Sequence, residues 1–185
     1  MEPDRPADFY SGLVAELYAV LRSSDPDPEP YARFVERSGT PALELGCGDG
    51  DPLLALRRRG LDVEGLDSSA DMLDRCRRRA AVLGIDVVLH ESSIESMELG
   101  RTYRSIFLAG PTFDLLADDD TAGRALQRIA LHLAPDGRVL IPLFVPPVVG
   151  QRAIGSGPVH TDDDGTVLRC ITVAVSSATA DACRA

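Results

Sequence analysis

Three glycines at alternate positions, Gly46, Gly48 and Gly50, follow a short apolar run and precede a second one. Glycine accepts positive φ angles and has no Cβ atom, so such a segment allows the main chain to approach a ligand closely. Glu44 precedes the first glycine, and Cys47 lies between the first two. These residue types and their spacing predict a turn that binds a cofactor at the carboxyl end of a strand.

A second candidate binding residue, Asp67, follows Gly46 by 21 residues, at the end of the next apolar run. At this distance, nucleotide-binding α/β proteins place a carboxylate that accepts hydrogen bonds from ribose hydroxyls. Dinucleotide-binding loops have the spacing GxGxxG, whereas this chain has GxGxG after Glu44. Because a carboxylate repels a pyrophosphate and attracts a cation, the pattern favours a ligand that carries ammonium and sulfonium groups.

The motif ExGxGxG resembles motif I of the class I S-adenosylmethionine-dependent methyltransferases. The resemblance continues at 67–73, which fits the family's second segment, roughly DxSxxML. It covers residues 9–145 and implies a small-molecule methyltransferase that uses S-adenosylmethionine and releases S-adenosylhomocysteine. The implied reaction is an in-line displacement by an N, O or C nucleophile of the acceptor.

The resemblance also implies which residues bind the cofactor, and most of them lie at strand ends or in the loops that follow. In the glycine loop they are Glu44 near the ammonium group and Gly46, Cys47, Gly48 and Gly50 along the methionine and ribose portions. On the nucleoside side they are Asp67 on the ribose hydroxyls, Ser68 and Met72 beside the adenine, and Ser93 and Ile94 after the third strand. The remaining ones are Leu108 at the end of the fourth strand and Tyr10 and Tyr18 in an N-terminal helix that closes over the cofactor. Many relatives have an acidic residue where this chain has Ser93, so we expect weaker adenine binding or a contribution from Glu91.

By the same resemblance, the segment after the fourth strand, 108–113, occupies the position of the family's acceptor loop. We expect Thr112 near the substrate, and Phe113 either near the substrate or in the core. No residue stands out as a catalytic base. We expect His90 and His132 to be structural, and Asp114 is a candidate base by position alone. An unprotonated amine needs little base catalysis, whereas a hydroxyl or carbon acceptor needs more, so the acceptor atom stays open.

Strand and helix patterns alternate from Pro41 onward, which predicts an α/β fold with a doubly wound, mostly parallel Rossmann-like sheet and helices on both faces. The expected strands cover 42–45, 61–66, 85–89, 105–109 and 138–145. Further along, we expect a loop at 155–158 and a hairpin turn at 162–165 leading into a strand at 166–176. The predicted organisation is a single methyltransferase domain over 1–185, with an N-terminal helical cap at 1–40, a cofactor-binding core at 41–145 and a C-terminal strand region at 146–185 that we expect to be incomplete.

Composition excludes several other classes. The net charge is −10 and all 19 basic residues are arginines, so we expect no nucleic-acid partner. The four cysteines lack metal-ligand spacing, and no metal site is expected. No apolar stretch approaches the roughly 20 residues that span a bilayer, and the first residues do not form a signal peptide, so we expect a cytoplasmic protein without a membrane partner. We expect the arginine clusters at 57–59 and 77–79 to be solvated helix ends.

Two alternatives to the methyltransferase hypothesis remain from sequence. Ser93 and the early end of the chain are compatible with a noncatalytic module that binds S-adenosylmethionine or a nucleotide. An NAD(P)-binding oxidoreductase fragment is the weaker alternative, because the glycine spacing and Glu44 oppose it. The sequence alone does not determine the methyl acceptor, a general base or the oligomeric state.

Overall fold

A computed structural model describes residues 10–12, 14, 15 and 27–143 with their side chains, and the backbone of 153–161 and 167–174. The chain forms two compact units. The larger comprises 1–16 and 25–144, and the smaller comprises 17–24 and 145–185. The organisation into a single domain with a helical cap therefore stays a prediction, and the expected helix around Tyr18 lies largely outside the described residues.

Helices and strands alternate through the larger unit. In chain order they are α1 (Glu29–Ser38), β1 (Ala42–Leu45), α2 (Leu53–Arg58), β2 (Val63–Asp67), α3 (Ala70–Leu83), β3 (Leu89–Glu91), β4 (Tyr103–Leu108), α4 (Asp119–His132) and β5 (Leu133–Leu140), with short 3-10 helices at Ile94–Ser96 and Thr112–Leu115. The five strands form one parallel sheet in the order β3-β2-β1-β4-β5. The chain order reverses beside β1, and ligands of such sheets bind at the carboxyl edge of this switch point.

The core has an apolar layer on each face of the sheet, which confirms the doubly wound α/β prediction. β1 is fully buried and contributes to both layers. Ala42 packs in the layer formed with α2 and α3, whereas Leu43 and Leu45 pack in the layer formed with α4. Burial of a leucine side chain contributes about 1.5–3 kcal/mol, so this short strand is held firmly on both sides.

The third strand begins later than the sequence pattern predicts. The expected strand covers 85–89, whereas pairing with β2 occurs only over β3. The Ile85 N–H donates instead to the Ala80 carbonyl at 2.9 Å, which ties it to the end of α3. Ile85 and Val87 still pack against the core, so their apolar pattern belongs to a packed connection.

The fifth strand begins earlier than predicted. The expected strand starts at Arg138, but β5 already begins at Leu133. Leu133 pairs with Tyr103 and Arg138 pairs with Ser105, so the extra residues form an irregular bulge within the strand. Asp136 lies in this bulge with a φ of 61°, a left-handed conformation that aspartate adopts more readily than most residues.

Two of the described helices begin with a side-chain cap. Ser69 caps α3 by accepting a hydrogen bond from the Met72 N–H at 3.2 Å. Asp118 caps α4 by accepting the Thr121 N–H at 2.7 Å. Among the described helices, none has both the length and the apolar character needed to cross a bilayer.

The smaller unit contains an antiparallel pair of strands, β6 (Ala153–Thr161) and β7 (Val167–Ala174). The pairing confirms a strand within the expected range 166–176, whereas the expected hairpin turn at 162–165 lies outside the described residues. The predicted loop at 155–158 is wrong, because these residues belong to β6. Their register shifts between Ser156 and Val159, where Gly157 and Pro158 lie, and proline within a sheet is tolerated at such irregularities.

Candidate functional site

The loop between β1 and α2 has the conformation that its glycines allow. Gly46, Gly48 and Gly50 have φ angles of 69°, 52° and 103°. A Cβ atom on Gly46 would lie 2.4 Å from Cγ2 of Thr112, and one on Gly50 would lie 2.8 Å from Sγ of Cys76. Both backbone angle and space therefore require glycine at the first and third positions.

Asp67 lies at the carboxyl end of β2, beside this loop. One carboxylate oxygen accepts the Gly48 N–H at 2.8 Å, and the other accepts the Ser69 N–H at 2.9 Å. Burial raises the pKa of Asp67, while the two bonds from Ser69 and Gly48 and the nearby Ser68 N–H, which forms no bond of full geometry, act in the opposite direction. A carboxylate has about four lone-pair positions, so two backbone bonds leave acceptor capacity for a ribose diol.

Glu44 is fully buried beneath the glycine loop. Neither carboxylate oxygen has a hydrogen-bond partner in the described part of the chain. The Leu53 N–H is near enough to lower the Glu44 pKa, but it does not form a hydrogen bond of full geometry. Burial raises the Glu44 pKa far above its usual range, and the charges of Asp51 and Asp67 raise it further. Burial of a carboxylate without a partner costs free energy, so this position favours the binding of a cation.

Arg79 of α3 ties the loop to the helix that follows β2. Its guanidinium donates to the Asp49 carbonyl at 2.9 Å and lies 3.0 Å from the Asp49 carboxylate. It also donates to Asp51 at 2.8 Å. The prediction that its arginine cluster is only a solvated helix end is therefore wrong for Arg79. Asp51 pairs with this arginine, and the N-cap of α2 is Pro52 without a side-chain cap bond.

The N-terminal segment contacts the same region. The Ser69 hydroxyl donates to the Tyr10 carbonyl at 2.6 Å, and the Gly12 N–H donates to Asp71 at 2.7 Å. Burial, and then the charge of Asp67, raise the pKa of Tyr10, which places its phenol near that carboxylate. The structure thus brings Tyr10 to the predicted ribose site, whereas Tyr18 lies outside the described residues.

Other predicted cofactor residues differ in exposure. Cys47 and Met72 are buried, and the Met72 methyl group would lie 3.2 Å from a Cβ atom on Gly48. Ser68 is exposed. Leu108 is fully buried in the apolar layer beside α4, so its side chain packs in the core.

The predicted adenine region follows β3. Ser93 is half-buried, and its hydroxyl lies 2.7 Å from the Ser96 hydroxyl. The Ser92 N–H donates to the Asp67 carbonyl at 3.0 Å, which keeps this turn beside the end of β2. Ile94 is buried in the layer with α4. This turn therefore lies beside the end of β2, and the Ser93 hydroxyl is already paired with that of Ser96.

The loop after β4, 109–113, lies against the first glycine. Thr112 is half-buried and its hydroxyl donates to the Ala109 carbonyl at 3.2 Å. The Gly110 N–H donates to the Tyr31 hydroxyl of α1 at 3.2 Å. Phe113 packs against the α4 layer. The structure therefore places Thr112 near the cofactor loop and gives Phe113 a role in the core.

The two described histidines expected to be structural are fully engaged in contacts. His132 accepts the Leu99 N–H through Nε2 at 3.0 Å, and its Nδ1 lies 2.7 Å from the Arg128 carbonyl. His90 Nε2 lies 2.8 Å from the buried carboxylate of Glu64. All three contacts join residues outside the loops that follow β1 and β4.

Glu64 is the centre of a buried polar cluster in β2. It accepts hydrogen bonds from the Tyr103 hydroxyl at 2.7 Å and from Arg101. Burial opposes ionisation, but the bonds with His90 and Tyr103 and the charge of Arg101 lower its pKa overall. This satisfied carboxylate contrasts with Glu44, which has no such partners among the described residues.

Sequence reasoning missed Arg79, Tyr31 and the Ser69 contact with the N-terminal segment. The sequence contained a signal for Arg79, because three carboxylates, those of Glu44, Asp49 and Asp51, lie in the single eight-residue segment 44–51. Such a group requires a cation. No comparable signal identified Tyr31, since its contact joins residues that are 79 positions apart.

The fold and the crevice beside β1 define a Rossmann-like domain of the class I methyltransferase type. A family model described as a methyltransferase domain matches residues 42–137, more than half of the chain. The chain belongs to this methyltransferase family. The assignment confirms the family resemblance seen in the motifs and does not support the oxidoreductase alternative.

Similar proteins include two sugar N-methyltransferases. The dTDP-3-amino-3,6-dideoxy-alpha-D-glucopyranose N,N-dimethyltransferase of Streptomyces fradiae is 32% identical over 164 residues, which are 84% of this chain and 63% of the relative. The dTDP-3-amino-3,4,6-trideoxy-alpha-D-glucopyranose N,N-dimethyltransferase of Streptomyces venezuelae is 28% identical, over 83% of this chain and 59% of the relative. The chain thus spans less than two thirds of the length of these curated relatives.

Solved structures share the fold. The CcbJ methyltransferase from Streptomyces caelestis aligns with a TM-score of 0.75 and 22% identity, covering 92% of this chain and 81% of that protein. CalS10 from Micromonospora echinaspora, an amino pentose methyltransferase solved with S-adenosylmethionine, aligns with a TM-score of 0.66 and 20% identity, covering 89% and 81%. At these identities the likeness concerns the fold alone.

Proposed function

We propose that this chain transfers a methyl group from S-adenosylmethionine to the amine of a nucleotide-linked amino sugar. The observation that carries the cofactor assignment is the pair of carboxylates, Glu44 and Asp67, beside one glycine loop at the ends of adjacent strands. The amine assignment is supported by the names of the relatives, two of which are dTDP-amino-sugar N,N-dimethyltransferases.

The residues present fit this cofactor in charge and in space. Glu44 is buried without a hydrogen-bond partner among the described residues, and an ammonium group would supply the missing positive charge. Asp67 keeps free lone pairs for the ribose hydroxyls after accepting its two backbone bonds. A Cβ atom at Gly48 would lie 3.2 Å from the Met72 methyl group, so glycine lets the main chain of this loop pack closely beside Met72.

Bound S-adenosylmethionine supplies an electrophilic methyl group. The residues of this chain contribute by holding both reactants in line, and alignment of this kind lowers a barrier by several kcal/mol. The loop at 109–113 lies against Gly46, so an acceptor bound there approaches the reactive end of the cofactor site. We assign acceptor contact to Thr112 in this loop.

An amine acceptor agrees with the absence of a strong base in the described part of this site. A neutral amine would offer its lone pair to the methyl group, and the ammonium group of the product would then have to release a proton. We assign acceptance of that proton to Asp114, which is exposed to solvent in the adjacent 3-10 helix. A hydroxyl acceptor would need deprotonation before or during attack, for which the described loops provide no histidine.

The experiment compares dTDP-3-amino-3,6-dideoxyglucose with its 3-hydroxy counterpart, each incubated with S-adenosylmethionine and the protein. We expect mass spectrometry to show one or two added methyl groups on the amino sugar alone, together with S-adenosylhomocysteine. Cofactor binding without turnover on an amine panel would support the noncatalytic alternative instead. Methylation of the hydroxyl compound alone would contradict the amine assignment.

A further inference from the structure

Tyr31 connects α1 with the loop that follows β4. Its hydroxyl oxygen accepts a hydrogen bond from the Gly110 N–H at 3.2 Å. Its ring stacks on Phe107 of β4, with centroids 5.6 Å apart and an interplanar angle of 26°. Phe107 is fully buried, so the tyrosine ring is fixed against the core while its hydroxyl holds the loop.

The segment held by Tyr31 extends to the cofactor loop. Gly110 has a φ of 74° and begins the turn that leads to Thr112. The Thr112 hydroxyl donates to the Ala109 carbonyl, and its methyl group occupies the space next to the Gly46 Cα atom. A shift of the backbone at Gly110 would therefore move Thr112 relative to the first glycine.

We infer that Tyr31 is a positioning residue for the methyl acceptor, acting through the Gly110 backbone on the loop at 109–113. The inference rests on the proposed function, because that loop is the proposed acceptor site. Tyr31 sets the distance between acceptor and cofactor but does not touch the reacting atoms. Its removal should therefore impair use of the acceptor and leave cofactor binding intact.

The same helix provides a matched comparison. Phe34 also packs on Phe107, in an edge-on arrangement with centroids 6.5 Å apart. It has no hydroxyl and forms no hydrogen bond with the loop. Tyr31→Phe removes only the bond to Gly110 and keeps the ring contact, whereas Phe34→Leu reduces ring packing and keeps the bond.

The test measures both variants beside the wild type, with the amino-sugar substrate and S-adenosylmethionine. For Tyr31→Phe we expect kcat/KM for the acceptor to fall about fivefold, the size of one lost hydrogen bond, while the Kd for S-adenosylhomocysteine changes less than about twofold. For Phe34→Leu we expect a lower Tm with unchanged acceptor kcat/KM. A fall in kcat/KM of equal size in both variants would show general packing and overturn the inference.

A second readout needs no turnover. Amide hydrogen exchange of the ligand-free protein, followed by NMR, should show faster exchange at Gly110 in Tyr31→Phe than in the wild type and in Phe34→Leu. Unchanged exchange at Gly110 would contradict the inference. A wild-type protein that methylates no amine contradicts the proposed function, whereas an active wild type with unimpaired Tyr31→Phe contradicts only the role of Tyr31.

Discussion

The backbone N–H of Gly48 donates a hydrogen bond of 2.8 Å to the carboxylate of Asp67. This bond joins the glycine loop after β1 to the end of β2, where the Ser69 N–H holds the other carboxylate oxygen. The residue predicted to bind the ribose thus also fixes the loop predicted to bind the methionine portion. The two halves of the candidate site depend on one side chain.

Asp67→Ala should weaken binding of S-adenosylhomocysteine by at least about tenfold, because it removes charge-assisted bonds to the ribose and the support of Gly48. Isothermal titration calorimetry measures the change. Asp74→Ala is the control, since Asp74 lies on α3 in an exposed ion pair with Arg77. Equal affinity in Asp67→Ala and the wild type would remove Asp67 from the site.

Gly46→Ala should destabilise the protein and weaken cofactor binding. The substitution costs about 1–2 kcal/mol for its left-handed backbone, and its Cβ atom would meet Thr112 at 2.4 Å. Gly84→Ala is the control for the backbone term alone, because Gly84 has a φ of 64° and open space around it. Thermal denaturation and cofactor titration should show the larger loss in Gly46→Ala.

A rescue variant tests the contact behind that prediction. Thr112→Ser keeps the hydroxyl that donates to the Ala109 carbonyl and removes the methyl group that faces Gly46. The double variant Gly46→Ala with Thr112→Ser should recover part of the lost stability. A double variant as unstable as the sum of both single changes would show that Thr112 does not restrict this position.

Glu44→Gln should raise stability at neutral pH and lower the affinity for S-adenosylmethionine. Burial, and then Asp51 and Asp67, raise the Glu44 pKa, so the folded protein keeps a proton that the unfolded chain loses above about pH 4.3. Stability is therefore lost as pH rises from about 4.3 to the raised folded pKa. A glutamine side chain does not ionise, so Glu44→Gln should not lose stability in this pH range.

The measurement is the difference in Tm between Glu44→Gln and the wild type across the pH range. It should be smallest near pH 4, increase as pH rises and level off above the folded pKa. Asp67 and Glu64 remain in both proteins, so the difference reports on Glu44 together with its coupling to Asp67. A constant difference at every pH would contradict a raised pKa at this position.

Cys47 and Cys76 should resist alkylation in the folded protein. Burial raises the pKa of the Cys47 thiol well above its usual range, and the charges of Glu44 and Asp67 add to the effect. Burial also raises the pKa of Cys76 to about 12. With iodoacetamide at pH 8, both peptides should label at least about a hundredfold more slowly than in urea, by mass spectrometry. Rapid labelling of Cys47 would instead identify a reactive thiol in the cofactor loop.

The sequence was sufficient to predict the central strands and the glycine loop, because these features depend on neighbouring residues. β1 is a continuous buried run, and Gly46 and Gly50 are required by both φ and space. The edge strands were harder to predict. β3 and β5 each border a single neighbour, so their bounds follow from pairing and bulges that local patterns do not encode.

The contacts that hold the site in place depend on long-range packing. Arg79 looked like part of an exposed arginine cluster, yet the docking of α3 places it against Asp49 and Asp51. Tyr31 has no distinguishing neighbours in the sequence, because its contact with Gly110 depends on the packing of α1 on β4. Residue types alone predicted the groups expected to bind a ligand, whereas the contacts that hold these groups in place became visible only in the fold.

The most direct measurement is a calorimetric titration of the purified wild-type protein with S-adenosylhomocysteine and, separately, with NADH. Glu44 and Asp67 beside one glycine loop predict saturable one-to-one binding of S-adenosylhomocysteine and no measurable heat with NADH. Tight binding of NADH, together with no measurable binding of S-adenosylhomocysteine, would contradict the assignment of this crevice to a sulfonium cofactor.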